Sequence, residues 1–123
     1  MTILQAIETI DELVHNAYSQ EQKVGWLSQL DSMVKEQVID THDDPPEVIF
    51  EGYTPDTPMD TVLLIPEPYE EAYLHWLQAQ IHYYNGEYGK YNQALSQYKA
   101  VFSAFANRYN ATHMAKGQRL RYF

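Results

Sequence analysis

The chain has no cysteine, which excludes thiol catalysis, cysteine-ligated zinc and a disulfide framework and favours an intracellular origin. It has no apolar run near the ~20 residues that span a bilayer. Its opening, Met1-Thr2-Ile3-Leu4-Gln5, lacks the basic region of a secretory signal, so a soluble protein without membrane association is expected. There is no Gly-x-Ser-x-Gly elbow and no glycine-rich phosphate loop, which removes the commonest hydrolase and nucleotide signatures. Proline is confined to residues 45–68, leaving both flanks free to form unbroken helices. Beyond Glu87 there is no carboxylate at all.

That last absence polarises the molecule. Residues 1–89 hold all 17 acids against Lys23 and Lys35, formally −15, while residues 90–123 hold six cations, formally +6, giving the net −9. Complementary potentials guide encounter and orientation, so two arrangements are open. Either copies attract one another head to tail, or the basic end folds back on its own acidic body. The acid excess argues against unspecific nucleic-acid binding.

At 123 residues the chain suits one domain whose core needs no staple. Thr2 and Gln5 form a capping-box pattern ahead of Ile3, Ile7, Ile10, Val14 and Ala17, an amphipathic helix that Asn16 should break. Ser19 and Gln22 repeat the cap before Val24, Leu27, Leu30, Val34 and Val38, predicting a second helix. Pro68 suits the first turn of a third helix, running to about Tyr84. Leu74, Leu77, Ile81 and Tyr84 make one apolar row on it, and Tyr69, Tyr73, Trp76 and Tyr83 a second, so it needs partners on two sides. After Asn85-Gly86, Tyr88, Tyr91, Leu95, Tyr98, Phe102, Phe105 and Tyr109 recur at alternating three- and four-residue steps. They predict a fourth helix over 88–109 with this seam in the core and Lys90, Lys99 and Arg108 off it.

Between these pairs, Val48-Ile49-Phe50 and Val62-Leu63-Leu64-Ile65 read as a small β-hairpin or an extended arm over 41–67, or as an irregular connector. The expected fold is therefore mainly α and four-helix bundle-like: one domain over 1–114 with an arm at 41–67, then a basic, aromatic tail at 115–123.

Catalytic chemistry finds little support. The histidines, His15, His42, His75, His82 and His113, form no His-x-x-x-His pair, and His75 and His82 stand two turns apart, too far for one small ion unaided. His42-Asp43-Asp44 lacks the spacing of a calcium loop. Gly86-Glu87-Tyr88-Gly89 mimics a nucleotide-backbone clamp but carries a carboxylate and no adjacent cation, so it reads as a helix break. No enzyme, metal site or cofactor is expected. The aromatics say more: nine of eleven tyrosines fall at or after Tyr69, more than a helix pair can hide, and tyrosine is a common interface residue. Helix three's second row, Tyr69, Tyr73, Trp76 and Tyr83, is thus assigned partly to subunit contacts. The cations Lys99, Arg108 and Lys116 join it, with Arg119-Leu120-Arg121-Tyr122-Phe123, whose guanidinium and aromatic anchors suit an interface hot spot.

Several strings resemble a known family. They are Ala17-Tyr18-Ser19-Gln20-Glu21-Gln22-Lys23, Pro68-Tyr69-Glu70-Glu71-Ala72-Tyr73-Leu74-His75-Trp76-Leu77, Tyr84-Asn85-Gly86-Glu87-Tyr88, Lys90-Tyr91-Asn92 and Phe105-Ala106-Asn107-Arg108-Tyr109-Asn110-Ala111-Thr112-His113-Met114. Over nearly the whole length they are similar to small head-morphogenesis proteins of tailed phages and prophages of Gram-positive bacteria, the head-tail connector or adaptor family. The resemblance implies a homo-oligomeric, twelve-fold ring beneath the portal protein, joining the DNA-filled head to the next head-tail joining or tail protein. It places the protein at the head-tail junction of the virion after synthesis in the host cytoplasm, with the tail of residues 116–123 on the portal and DNA passing through without specific binding. A different expectation is a helical-repeat-like peptide-binding module, suggested by residues 79–98. No second copy at a period near 34 residues supports it.

Overall fold

A computed structural model of the chain describes residues 1–41 and 50–112. The fold is mainly helical, as the pattern predicts, with α1 at Ile3–Leu13, α2 at Gln20–Gln37, a 3₁₀ turn at Ile39–Thr41, α3 at Glu71–Tyr84 and α4 at Tyr88–Thr112. Both capping boxes form: Thr2 Oγ1 accepts from Gln5 N and Ser19 Oγ from Gln22 N, each at 3.1 Å, while the glutamine side chains reach back. Such a cap stabilises a helix start by about 1 kcal/mol. Asn16 ends α1 as expected, its amide donating to Val14 O at 2.8 Å and Asp11 Oδ1 at 3.1 Å.

The third helix begins at Glu71 rather than Pro68, because residues 66–70 are spent on turns in which Tyr69 N bonds Pro66 O and Tyr73 N bonds Glu70 O. Its end is sharply made. Gly86, at φ +77°, donates to Tyr83 O, and Glu87 N donates to His82 O at 2.9 Å. This is the paired-bond termination for which glycine's freedom at positive φ is suited. The chain then turns back into α4, which runs to Thr112 because residues 110–112 hold no breaker.

Helix α3 is the centre of the molecule. It packs against α1, α2 and α4, with Ala72, Tyr73, Leu77, Ala79 and Ile81 all fully buried. Helix α4, in contrast, has α3 as its only helical partner among the described residues, so the bundle is open on one side. Its buried residues are Ala94, Tyr98 and Phe105.

The proline-rich stretch is neither a hairpin nor a free arm where it is described; Val48 and Ile49 lie outside the described residues. From Phe50 it lies along the body as a strap. Ile3 N bonds Thr61 O at 3.0 Å, Leu63 N bonds Met1 O at 2.9 Å, and Thr2 and Val62 make one isolated antiparallel bridge. Leu63 and Ile65 are buried: this apolar segment supplies core residues and is bonded to the start of α1.

A lysine is buried between the first two helices. Lys23 is 4% exposed and donates to Asp11 Oδ1 at 2.6 Å. Against some desolvation, the bonds from Lys23 and Asn16 hold the Asp11 carboxyl below its ordinary value. Asp11→Ala should cost about 1 kcal/mol in urea unfolding, below the figure for a sealed pair because Asp11 faces water. Lys23→Met in that background should recover most of the loss.

Candidate subunit interface

The deepest polar group is Asp31, fully buried on the apolar stripe of α2. Tyr73 donates to its Oδ1 at 2.6 Å, while Tyr53 Oη and Leu64 N donate to Oδ2. Ile65 N in turn donates to the Tyr73 hydroxyl at 2.6 Å. Burial, the largest influence, pushes the Asp31 carboxyl above its ordinary value against these three bonds. Burial and then the Asp31 charge raise both tyrosines, keeping them protonated donors. Every oxygen is occupied and no described cleft opens onto it. This acid fastens the strap to α2 and α3; it is not placed to meet a substrate.

Tyr73 is therefore a correction. Assigned to subunit contacts from its spacing, it has no exposed surface, because its hydroxyl is needed beneath the strap. Trp76 is half-buried, donating from Nε1 to Trp26 O at 2.8 Å and lying 5.1 Å from the Tyr98 ring, so it mainly joins α3 to its neighbours. Tyr69, also half-buried, packs 6.0 Å from Phe105. Tyr83 is 47% exposed, and Lys99 and Arg108 are exposed. Lys116, Arg119, Leu120, Arg121, Tyr122 and Phe123 lie outside the described residues.

Two exposed aromatics escaped the sequence reading. Tyr84 and Tyr88, 58% and 61% exposed, sit on either side of the α3–α4 turn. Tyr88 was placed on the core seam, but α3 stops at Tyr84 and cannot cover it. Together with Tyr83 they form a shelf whose rings touch in sequence: Tyr83 lies 5.3 Å from Tyr84, 6.0 Å from Tyr88 and 5.3 Å from Tyr91, and Tyr84 stacks on Trp26 at 5.6 Å and 13°. The signal that could have found it was a tyrosine pair immediately before a helix-ending Asn-Gly.

At the other end of α4 a largely apolar groove of about 490 Å³ is lined by Ile39, Leu64, Tyr69 and Phe105, with both Glu67 and Arg108 on its wall. A third feature, a polar cleft of about 560 Å³, holds His15, His82, Glu87 and Lys90. There Glu87, held at about 2 by bonds from Asn85, His82 and Lys90, is engaged by its own neighbours. Among the described residues no group of three or more potential ligands could hold a metal ion, and no helix is long and apolar enough to cross a membrane.

The ion pairs separate the cations into two sets. Lys23 pairs with Asp11, Lys35 with Asp40 and Lys90 with Glu87, whereas Lys99 and Arg108 make no ion pair among the described residues. No protein-family model, curated protein or solved structure matches the chain.

Proposed function

We propose that the protein is a structural subunit of a phage virion, a head-tail connector or adaptor. Its copies form a ring, twelve-fold by family resemblance, between the portal protein and the next head-tail joining or tail protein at the virion's head-tail junction. It catalyses no reaction and carries no cofactor, and DNA passes it without specific binding. The observation that carries this reading is the exposure of α4. Among the described residues the basic helix has α3 as its only helical partner, and Lys99 and Arg108 are exposed and make no ion pair, in a chain of net charge −9. Exposed cations on an otherwise acidic molecule favour specific contact with another acidic surface, here another copy or the portal.

The test is native mass spectrometry and negative-stain imaging of the purified chain, alone and with the portal protein of the same gene cluster. Rings or a portal-bound assembly are expected for the wild type, and reversal of Lys99, Arg108 and Arg119 to Glu should abolish them. A wild type that stays single at high concentration, both alone and with the portal, would overturn the reading.

A further inference from the structure

We infer that the tyrosine shelf of one copy receives the guanidinium groups of Arg119 and Arg121 from the tail of a second copy, so that subunits join head to tail. The inference rests on the proposed structural role and names the surfaces that meet.

The shelf has the marks of a binding anchor. Of the six large hydrophobic side chains exposed among the described residues, Tyr83, Tyr84 and Tyr88 stand together at the α3–α4 turn. Their rings are braced by one another and by Tyr91 and Trp26, and the Tyr18 hydroxyl ties this corner to Asn85 at 2.6 Å. Aromatic side chains already held in place lose little conformational freedom on binding, and contiguous exposed aromatic surface is unusual on a chain that stays alone.

Its chemistry selects the occupant. The face of a tyrosine ring carries negative potential and attracts a flat cation, arginine above all. The charged residues of the turn itself, Glu87 and Lys90, bond to each other at 3.1 Å, so Lys90 is already engaged beside the rings. The shelf also belongs to residues 1–89, formally −15, whereas residues 90–123 carry +6 and no carboxylate. Attraction at a distance therefore favours an occupant from the basic end. There Arg119-Leu120-Arg121-Tyr122-Phe123 holds two of the chain's three arginines beside apolar and aromatic side chains that suit the same surface.

Reach decides which copy supplies the tail. Tyr88 and Thr112 are the two ends of α4, about 36 Å apart along a continuous helix. Arg119 and Arg121 follow Thr112 by seven and nine residues, at most about 25 and 32 Å of fully stretched backbone. That backbone cannot carry its arginines back to Tyr88 of the same copy, whereas the shelf of a neighbour is under no such limit. Because shelf and tail differ, the contact is heterologous, the geometry that closes into rings or runs into filaments.

The experiment pairs two variants of the full chain. Tyr83→Ser/Tyr88→Ser removes the ring faces, and Arg119→Gln/Arg121→Gln removes the guanidinium groups. Circular dichroism spectra should match the wild type. By analytical ultracentrifugation, each variant alone should need on the order of 100-fold higher concentration to assemble. Mixed one to one, they should form a dimer and nothing larger, since one intact shelf meets one intact tail. Tyr83→Phe/Tyr88→Phe keeps the faces and should assemble as the wild type does. Wild-type assembly by either of the first two variants, a mixture that gives no dimer, loss of assembly in the Phe variant, or a wild type that assembles only on the portal would overturn the inference while leaving the subunit role standing. The role itself fails only if the wild type never assembles.

Discussion

Replacing Asp31 with Ala should lower stability by on the order of 3–5 kcal/mol, read as a large fall in the urea midpoint. The substitution strands three donors together: the hydroxyls of Tyr53 and Tyr73 and the amide of Leu64 lose their acceptor. Asp31→Asn keeps the shape but turns one acceptor into a donor. Tyr73 already accepts from Ile65 N and so must donate forward, and the position facing Leu64 N also needs an acceptor. About 1–2 kcal/mol should therefore still be lost.

Acidity separates the two effects. Because the Asp31 carboxyl is raised from 3.8, the folded chain holds a proton in the window above 3.8 that the unfolded chain has released. Its contribution to stability therefore grows as pH falls through that window, and the gap between wild type and Asp31→Asn should widen from pH 7 towards pH 4. Glu87 acts in the opposite sense. Lowered from 4.5 to about 2, it stabilises above the higher value and loses that effect as pH falls towards the lower.

The second large effect belongs to the α3–α4 seam. Phe105 is 4% exposed and its ring lies 6.0 Å from Tyr69, 6.3 Å from Phe102 and 6.1 Å from Tyr109. Phe105→Ala should cost about 3–4 kcal/mol. Since α4 has no helical partner but α3 among the described residues, the loss should be uneven. Hydrogen exchange in the second half of α4 should accelerate far more than in α1 and α2. Equal acceleration in all helices would mean that α4 is not a separately anchored element.

What the sequence revealed was local. Thr2–Gln5 and Ser19–Gln22 announced two helix starts because a capping box is complete within four residues, and Asn85-Gly86 announced a stop for the same reason. The heptad-like seam of α4 was legible because a long period is hard to produce by chance. The strap was not, since its partners are 22 to 62 residues away: Tyr53 and Leu64 meet Asp31, and Leu63 meets Met1. Spacing could not separate Tyr73, which sends its hydroxyl inward, from Tyr83, which stands at a helix end. Asp31 did leave a trace, being an acid in register with Leu27 and Val34 on an otherwise apolar stripe. A carboxylate there requires donors from elsewhere in the chain.

A helix of 25 residues gripped along one side is also a lever, about 37 Å long. Pivoting it by 10° at the Tyr88 end would carry the Thr112 end through about 6 Å. The α3–α4 seam therefore sets where the exposed Lys99 and Arg108 stand relative to the rest of the bundle. Bulky or small substitutions at Tyr98, Phe102 and Phe105 would then displace these cations by several ångströms while leaving their own side chains untouched.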